Sequence, residues 1–234
     1  MATVAPAPSG PSVKAPTSPV FKFLGSSLGL KLIMAVTGVM LSGFVLVHML
    51  GNLKVFEGAE ALDAYGRLIR FEPAFLWAAR LGLLTAVGLH ILSFALLARR
   101  NAAARAVTYR VKKSRESSYA SRTMWLTGPL LLAYIVYHVL HMTTGTVHPD
   151  FVEEHVYHNV VTGLSVPWVA TFYILATLAL GFHLWHGVWS MFQTLGLGPK
   201  RHGSWTRKLA TLFTLVVVLG FTSVPLSVLM GWVK

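Results

Sequence analysis

Five long apolar runs, separated by polar and charged stretches, organise this chain: approximately 28–50, 74–98, 124–146, 168–195 and 209–232. Each can cross roughly 30 Å of hydrocarbon, which takes about 20 helical residues. Strands would leave backbone groups unpaired in lipid, so the runs predict helices. The expected fold is an all-α membrane protein, with five transmembrane helices in a bundle over residues 23–234. Between the first two runs, GAEALDAYGRLIRFEP predicts a short surface helix that Pro73 breaks. The 147–167 loop, with Asp150, Glu153, Glu154 and three histidines, also reads as structured. Residues 1–22, rich in Pro, Ala and Ser and without apolar periodicity, read as a disordered cytoplasmic tail. They lack the basic start and apolar core of a signal peptide.

Composition agrees with lipid as the solvent. The chain is 54% hydrophobic and 12% charged, with a mean hydropathy of +0.61, against about a quarter charged for soluble domains. A net charge of +12 suggests nucleic acid until the charges are located. The tail, the 99–122 loop, the 196–208 loop and Lys31 hold fifteen of the twenty basic residues and one acid, Glu116. The other side holds five basic residues and seven acids. This bias places the N-terminus in the cytoplasm and the C-terminus outside. The 99–122 loop is basic enough to grip anionic lipid or an acidic partner. There is no cysteine, which excludes disulfides, thiolate zinc sites, iron–sulfur clusters on this chain and c-type haem attachment.

The ten histidines carry the candidate chemistry. Four runs contain them: His48, His90, His138 with His141, and His183 with His186. Ionisable residues inside membrane helices are rare and usually face a functional interior. The first run reads TGVMLSGFVLVHML and the third TGPLLLAYIVYHVL; the second reads TAVGLHIL and the fourth ALGFHLW. This is a weak internal duplication of a two-helix unit, and it singles out His138 over His141 and His183 over His186. Depth sorts the same four. At 1.5 Å per residue, His48 and His138 lie about 20–30 Å from the inner ends of their helices, and His90 and His183 roughly 12–17 Å. An outer pair (His48, His138) and an inner pair (His90, His183) result, each from two helices at similar height. A haem needs that when imidazoles bind both faces of its iron, so two haems of b type are expected. A metal transporter would want carboxylates or clustered histidines, and a proton pump buried acids; the runs contain almost no acid. His141 and His186, three residues after the chosen ligands, can replace them or bond a haem propionate or a quinone. His148, His155, His158 and His202 lie in loops and read as surface residues.

With these residues in view, the chain resembles the cytochrome b558 membrane anchor of succinate:quinone oxidoreductases, the type with one five-helix, dihaem subunit. The resemblance covers most of the chain after the tail. It rests on LVHMLGNLKVFEGAEALDAYG around His48, GLHIL at His90, YHVLHMTTG at His138 and FHLWHGVWSMFQTLG at His183. It implies axial ligation by His48, His90, His138 and His183, with the first run paired to the third and the second to the fourth. It further implies a flavoprotein with covalent FAD and an iron–sulfur subunit on the cytoplasmic face of a bacterial cytoplasmic (inner) membrane. Succinate is then oxidised in the flavoprotein, not on this chain. Electrons pass through the clusters and haems to a quinone, commonly menaquinone. The basic inner loops become docking surfaces for the iron–sulfur subunit, although ordinary orientation signals explain them equally well. Some fumarate-reducing relatives carry a proton-conducting glutamate where this chain has Gly181, so that mechanism is not carried over. Glu72, at the outer mouth of the second run, is the candidate for quinone proton exchange; a solvated loop acid is the plainer reading. The alternatives are the cytochrome b subunit of another respiratory enzyme, such as a hydrogenase or formate dehydrogenase, and a haem-free scaffold or transporter. FQTLG and GAEA argue against the former.

Overall fold

The computed structural model describes residues 18–104, 118–197 and 204–234. The expectations placed on residues 1–17, on 105–117 and on 198–203, His202 among them, lie outside the described residues. Among the described residues eight α-helices follow one another: α1 (Pro19–Leu24), α2 (Ser27–Asn52), α3 (Ala59–Arg70), α4 (Pro73–Ala103), α5 (Tyr119–Met142), α6 (Val156–Leu164), α7 (Pro167–Thr194) and α8 (Ser204–Leu229). A 3₁₀ turn at Leu53–Glu57 joins α2 to α3. No strand occurs among the described residues. Helices α2, α4, α5, α7 and α8 are long and apolar enough to cross a membrane, so the expected all-α fold with five spans is borne out.

Local chemistry explains the helix ends. Ser26 accepts from Gly29 N at 3.0 Å to start α2, and Ser118 accepts from Ser121 N at 3.1 Å to start α5. Pro73 and Pro167 open α4 and α7, where a missing N–H costs nothing. The first of these prolines does more than end the preceding segment: it begins the second span. Two spans are displaced from their hydropathy windows. Helix α5 begins at Tyr119 rather than 124, and α8 at Ser204 rather than 209. The helical hydrogen-bond ladder continues through polar turns that an apolar window leaves out. At the other end, α8 stops at Leu229 because Gly231 takes φ +68°, and Trp232 N turns back to Ser227 O at 2.9 Å. Helix α1 begins at Pro19, inside the stretch expected to be tail.

The spans are covered unevenly. Even α7, the best covered, buries only 39% of its most apolar stretch. An outside this apolar belongs in lipid, where helices associate by close packing rather than by escape from water. Helix α7 packs against α2, α5 and α8, and α2 packs against α4 and α8. Small residues set the approach: a Cβ added to Gly181 on α7 would lie 2.8 Å from Val218 Cγ2 on α8. Any side chain at that position, a glutamate included, would require Val218 to shift. By contrast, α2 with α5, and α4 with α7, are not packed helix on helix. Between those two helix pairs, side chains must bridge the gap.

One end of the bundle carries a cap. Helices α3 and α6 pack on each other there, and Asp63 accepts from Tyr157 N at 2.8 Å, serving the first turn of α6. Val55, Leu62, Val160 and Leu164 join Val169, Tyr173, Val224 and Val228 in one apolar core beneath it. A second core, Leu184, Val188, Ala210 and Val217, lies between α7 and α8.

Candidate functional site

The histidines of alternate spans meet across the two gaps. The rings of His48 (α2) and His138 (α5) have centroids 5.8 Å apart, and those of His90 (α4) and His183 (α7) 6.3 Å. All four rings are half-buried. His48 and His138 sit near the capped end, one or two turns from the ends of α2 and α5, whereas His90 and His183 lie in the middle reaches of their helices.

The two pairs are held differently. His90 Nδ1 is 3.0 Å from Thr37 Oγ1 on α2, and His183 Nδ1 is 3.4 Å from Thr127 Oγ1 on α5. The Thr37 hydroxyl donates to Ile33 O at 2.8 Å, so its lone pairs accept Nδ1–H of His90. That tautomer leaves Nε2 bare. Thr37 and Thr127 are the threonines of the two Thr-Gly segments. The repeat noticed in the sequence thus encodes the support for the histidines of the following span, a role that reading the sequence alone did not assign. The His90 ring lies against this turn of α2: a Cβ at Gly38 would stand 3.7 Å from His90 Cε1, an ordinary contact.

His48 and His138 lie instead among aromatic rings. His48 stacks on Phe44 one turn earlier, at 5.3 Å and 10°, and meets Phe221 of α8 at 5.8 Å. His138 stacks on Tyr134 at 5.7 Å and 28°, and its Nδ1 is 3.3 Å from Tyr173 OH. Asn52 approaches His48 Nε2 only at 3.4 Å, while its better bond, 2.8 Å, goes to His48 O.

The neighbouring histidines separate in role. His141 is 1% exposed; its Nδ1 lies 2.9 Å from Tyr173 OH, and its ring stacks on His148 at 4.7 Å. His186 lies beside Trp189, and its buried Nδ1 has no partner among the described residues. His148, expected at the surface, is 6% exposed, because the loop folds back beneath α6 and Nε2–H donates to Asn159 O at 2.9 Å. His155 is exposed, and half-buried His158 pairs with Asp150 at 3.2 Å. Glu72 is exposed and caps α4, accepting from Ala74 N at 3.3 Å.

These pairs can hold a metal only in a particular way. Among the described residues no three His, Asp or Glu side chains gather as a metal-binding group, so each site offers two imidazoles and nothing more. A metal bound on opposite faces by two imidazoles, with bonds of about 2.0 Å, separates their ring centres by roughly 6 Å. Both pairs have that spacing. A planar macrocycle supplying the remaining ligands, as in haem, fits the donor set.

The fold and site define a multi-span membrane protein with interior histidines paired at two levels. The model of the succinate dehydrogenase/fumarate reductase transmembrane subunit family matches residues 98–222, more than half of the chain, and the chain belongs to that family. The match takes in His138, His141, Tyr173, His183 and His186 but stops short of His48 and His90. The resemblance seen in the sequence is thereby borne out. No curated protein and no solved structure matches.

Proposed function

We propose that this chain anchors a succinate:quinone oxidoreductase in the bacterial cytoplasmic membrane and carries two b-type haems, one between His48 and His138 and one between His90 and His183. The observation that carries this reading is the meeting of imidazoles from unpacked helices at metal-bridging distance, twice in one bundle. The bound haems would supply one-electron transfer between the iron–sulfur subunit and a membrane quinone, in this reading menaquinone. The chain's own residues do the rest. Thr37 and Thr127 hold the Nδ1 protons of His90 and His183, which leaves Nε2 as the ligating nitrogen. Such second partners orient a ligand and raise its basicity. His186 Nδ1, buried and unpartnered, is the donor left for a propionate beside the His90–His183 pair. His141 is already committed to Tyr173.

The N-terminus lies on the cytoplasmic side by the distribution of basic residues. The flavoprotein with FAD and the iron–sulfur subunit dock there, and dicarboxylate chemistry stays on those partners. Glu72 is the proposed proton exchanger for quinone at the opposite face. A reduced-minus-oxidised spectrum of the purified complex tests the reading: two b-type haems per chain are expected. A complex with no b-type absorption would overturn it.

A further inference from the structure

We infer that Tyr173 and His141 are positioning residues for His138, joined to it in a one-directional hydrogen-bond chain that sets the character of this ligand; the inference rests on the haem reading above. Tyr173 projects from α7 toward α5 and is 8% exposed. Its hydroxyl lies 3.3 Å from His138 Nδ1 and 2.9 Å from His141 Nδ1. A phenol has a single proton to give, and if both imidazoles donated to its oxygen that buried proton would find no acceptor among the described residues, so two arrangements remain. If Tyr173 donates to His138, then His138 carries its proton on Nε2 and cannot ligate. Ligation therefore selects the other arrangement: His138 Nδ1–H donates to the Tyr173 oxygen, and Tyr173 O–H donates to His141 Nδ1.

The far end of the chain is fixed by packing. The His141 ring lies between Tyr137, at 5.4 Å and 20°, and His148, at 4.7 Å and 25°. His148 is itself locked, donating from Nε2 to Asn159 O and accepting at Nδ1 from Asp150 N at 3.1 Å. Gly163 closes the remaining side, for a Cβ there would be 2.7 Å from His148 Nε2 and 2.8 Å from His141 Cε1. His141 cannot swing out to become a ligand without breaking this stack. Aligned hydrogen bonds polarise one another in a low-dielectric interior. His138 thus acquires imidazolate character, which favours the oxidised metal. His48 has no corresponding bond at Nδ1 among those found in the structure.

The test is Tyr173→Phe in the full membrane complex, since it keeps the ring and removes only the hydroxyl. Haem content, the midpoint potential of each haem and the low-spin electron paramagnetic resonance signals are recorded. Both haems are expected to remain. At fixed potential the reduced-to-oxidised ratio of the His48–His138 haem should rise roughly tenfold, equivalent to about 59 mV for one electron, while the other haem stays put. His141→Asn should move the same haem in the same direction by less. Selective loss of the His48–His138 haem in Tyr173→Phe would also support the assignment. Unchanged potentials and resonance signals with both haems present would overturn it while leaving the proposed function intact, as would loss of both haems together. An unmodified complex without haem would instead remove the reading on which it rests.

Discussion

The His90–His183 pair is steadied by hydroxyls one span away, whereas the His48–His138 pair is walled in by aromatic rings and meets a hydroxyl only at His138. Both arrangements hold an imidazole across a gap where two helices do not pack. They do so by different physics. A threonine on a helix satisfies its own proton on the preceding turn's carbonyl and offers a lone pair outward. It fixes a tautomer with little bulk. Stacked rings fix a plane, worth about 0.5–1.5 kcal/mol per aromatic contact, but leave the choice of nitrogen open. The capped end can afford that bulk because α3, α6 and the 147–155 loop close over it. In the middle of the membrane only lipid and the spans themselves are at hand.

Perturbations that strike one pair and spare the other sharpen this contrast. The largest effect is expected from the rings themselves. His90→Ala or His183→Ala should abolish one haem and leave the other, and His48→Ala or His138→Ala the reverse, as read from haem per chain and from the two potentials. Loss of a haem in His186→Ala with retention in His183→Ala would reverse the choice of ligand. Next come the supports. Thr37→Val with Thr127→Val preserves shape and removes both hydroxyls, so haem binding at His90–His183 should weaken about 10–100-fold, measured as haem retained in detergent against an apo-globin acceptor. Equal weakening at both pairs would contradict the division of labour. A smaller effect is expected from Phe44→Leu, which removes the stack on His48 and should cost about 0.5–1.5 kcal/mol. The resonance signal of that haem should broaden as its ring plane loosens, and a sharp signal would count against aromatic walling. The smallest belongs to Glu72→Gln, which keeps an oxygen for the α4 cap. Quinone turnover should slow by less than about tenfold, since an exposed acid shares its work with water, with haem content unchanged. Undiminished turnover would confine Glu72 to capping.

Particular residues show how much of this was legible beforehand. The spans were, because apolar length is a one-dimensional property. The pairing of His48 with His138 and of His90 with His183 also followed from height along each helix, and the structure does bring those rings together. The roles of Thr37 and Thr127 were half visible: the Thr-Gly repeat was there, but a threonine in an apolar helix looks the same whether it bonds its own turn or a neighbour's ring. Tyr173 gave no signal at all, being one tyrosine among seven. His148 pointed the wrong way, since a loop histidine is normally solvated and only the fold of the loop buries it.

Five membrane-crossing helices and histidines at two heights were set by the linear order of residues, since hydropathy and helical rise are counted along the chain. Which helices stay apart so that rings can meet, and which hydroxyl reaches which nitrogen, were decided only when α7 packed against α2, α5 and α8. Hydrogen bonds depend on angle and on ångström distances between residues dozens of positions apart, and only the packing of helix against helix fixes those.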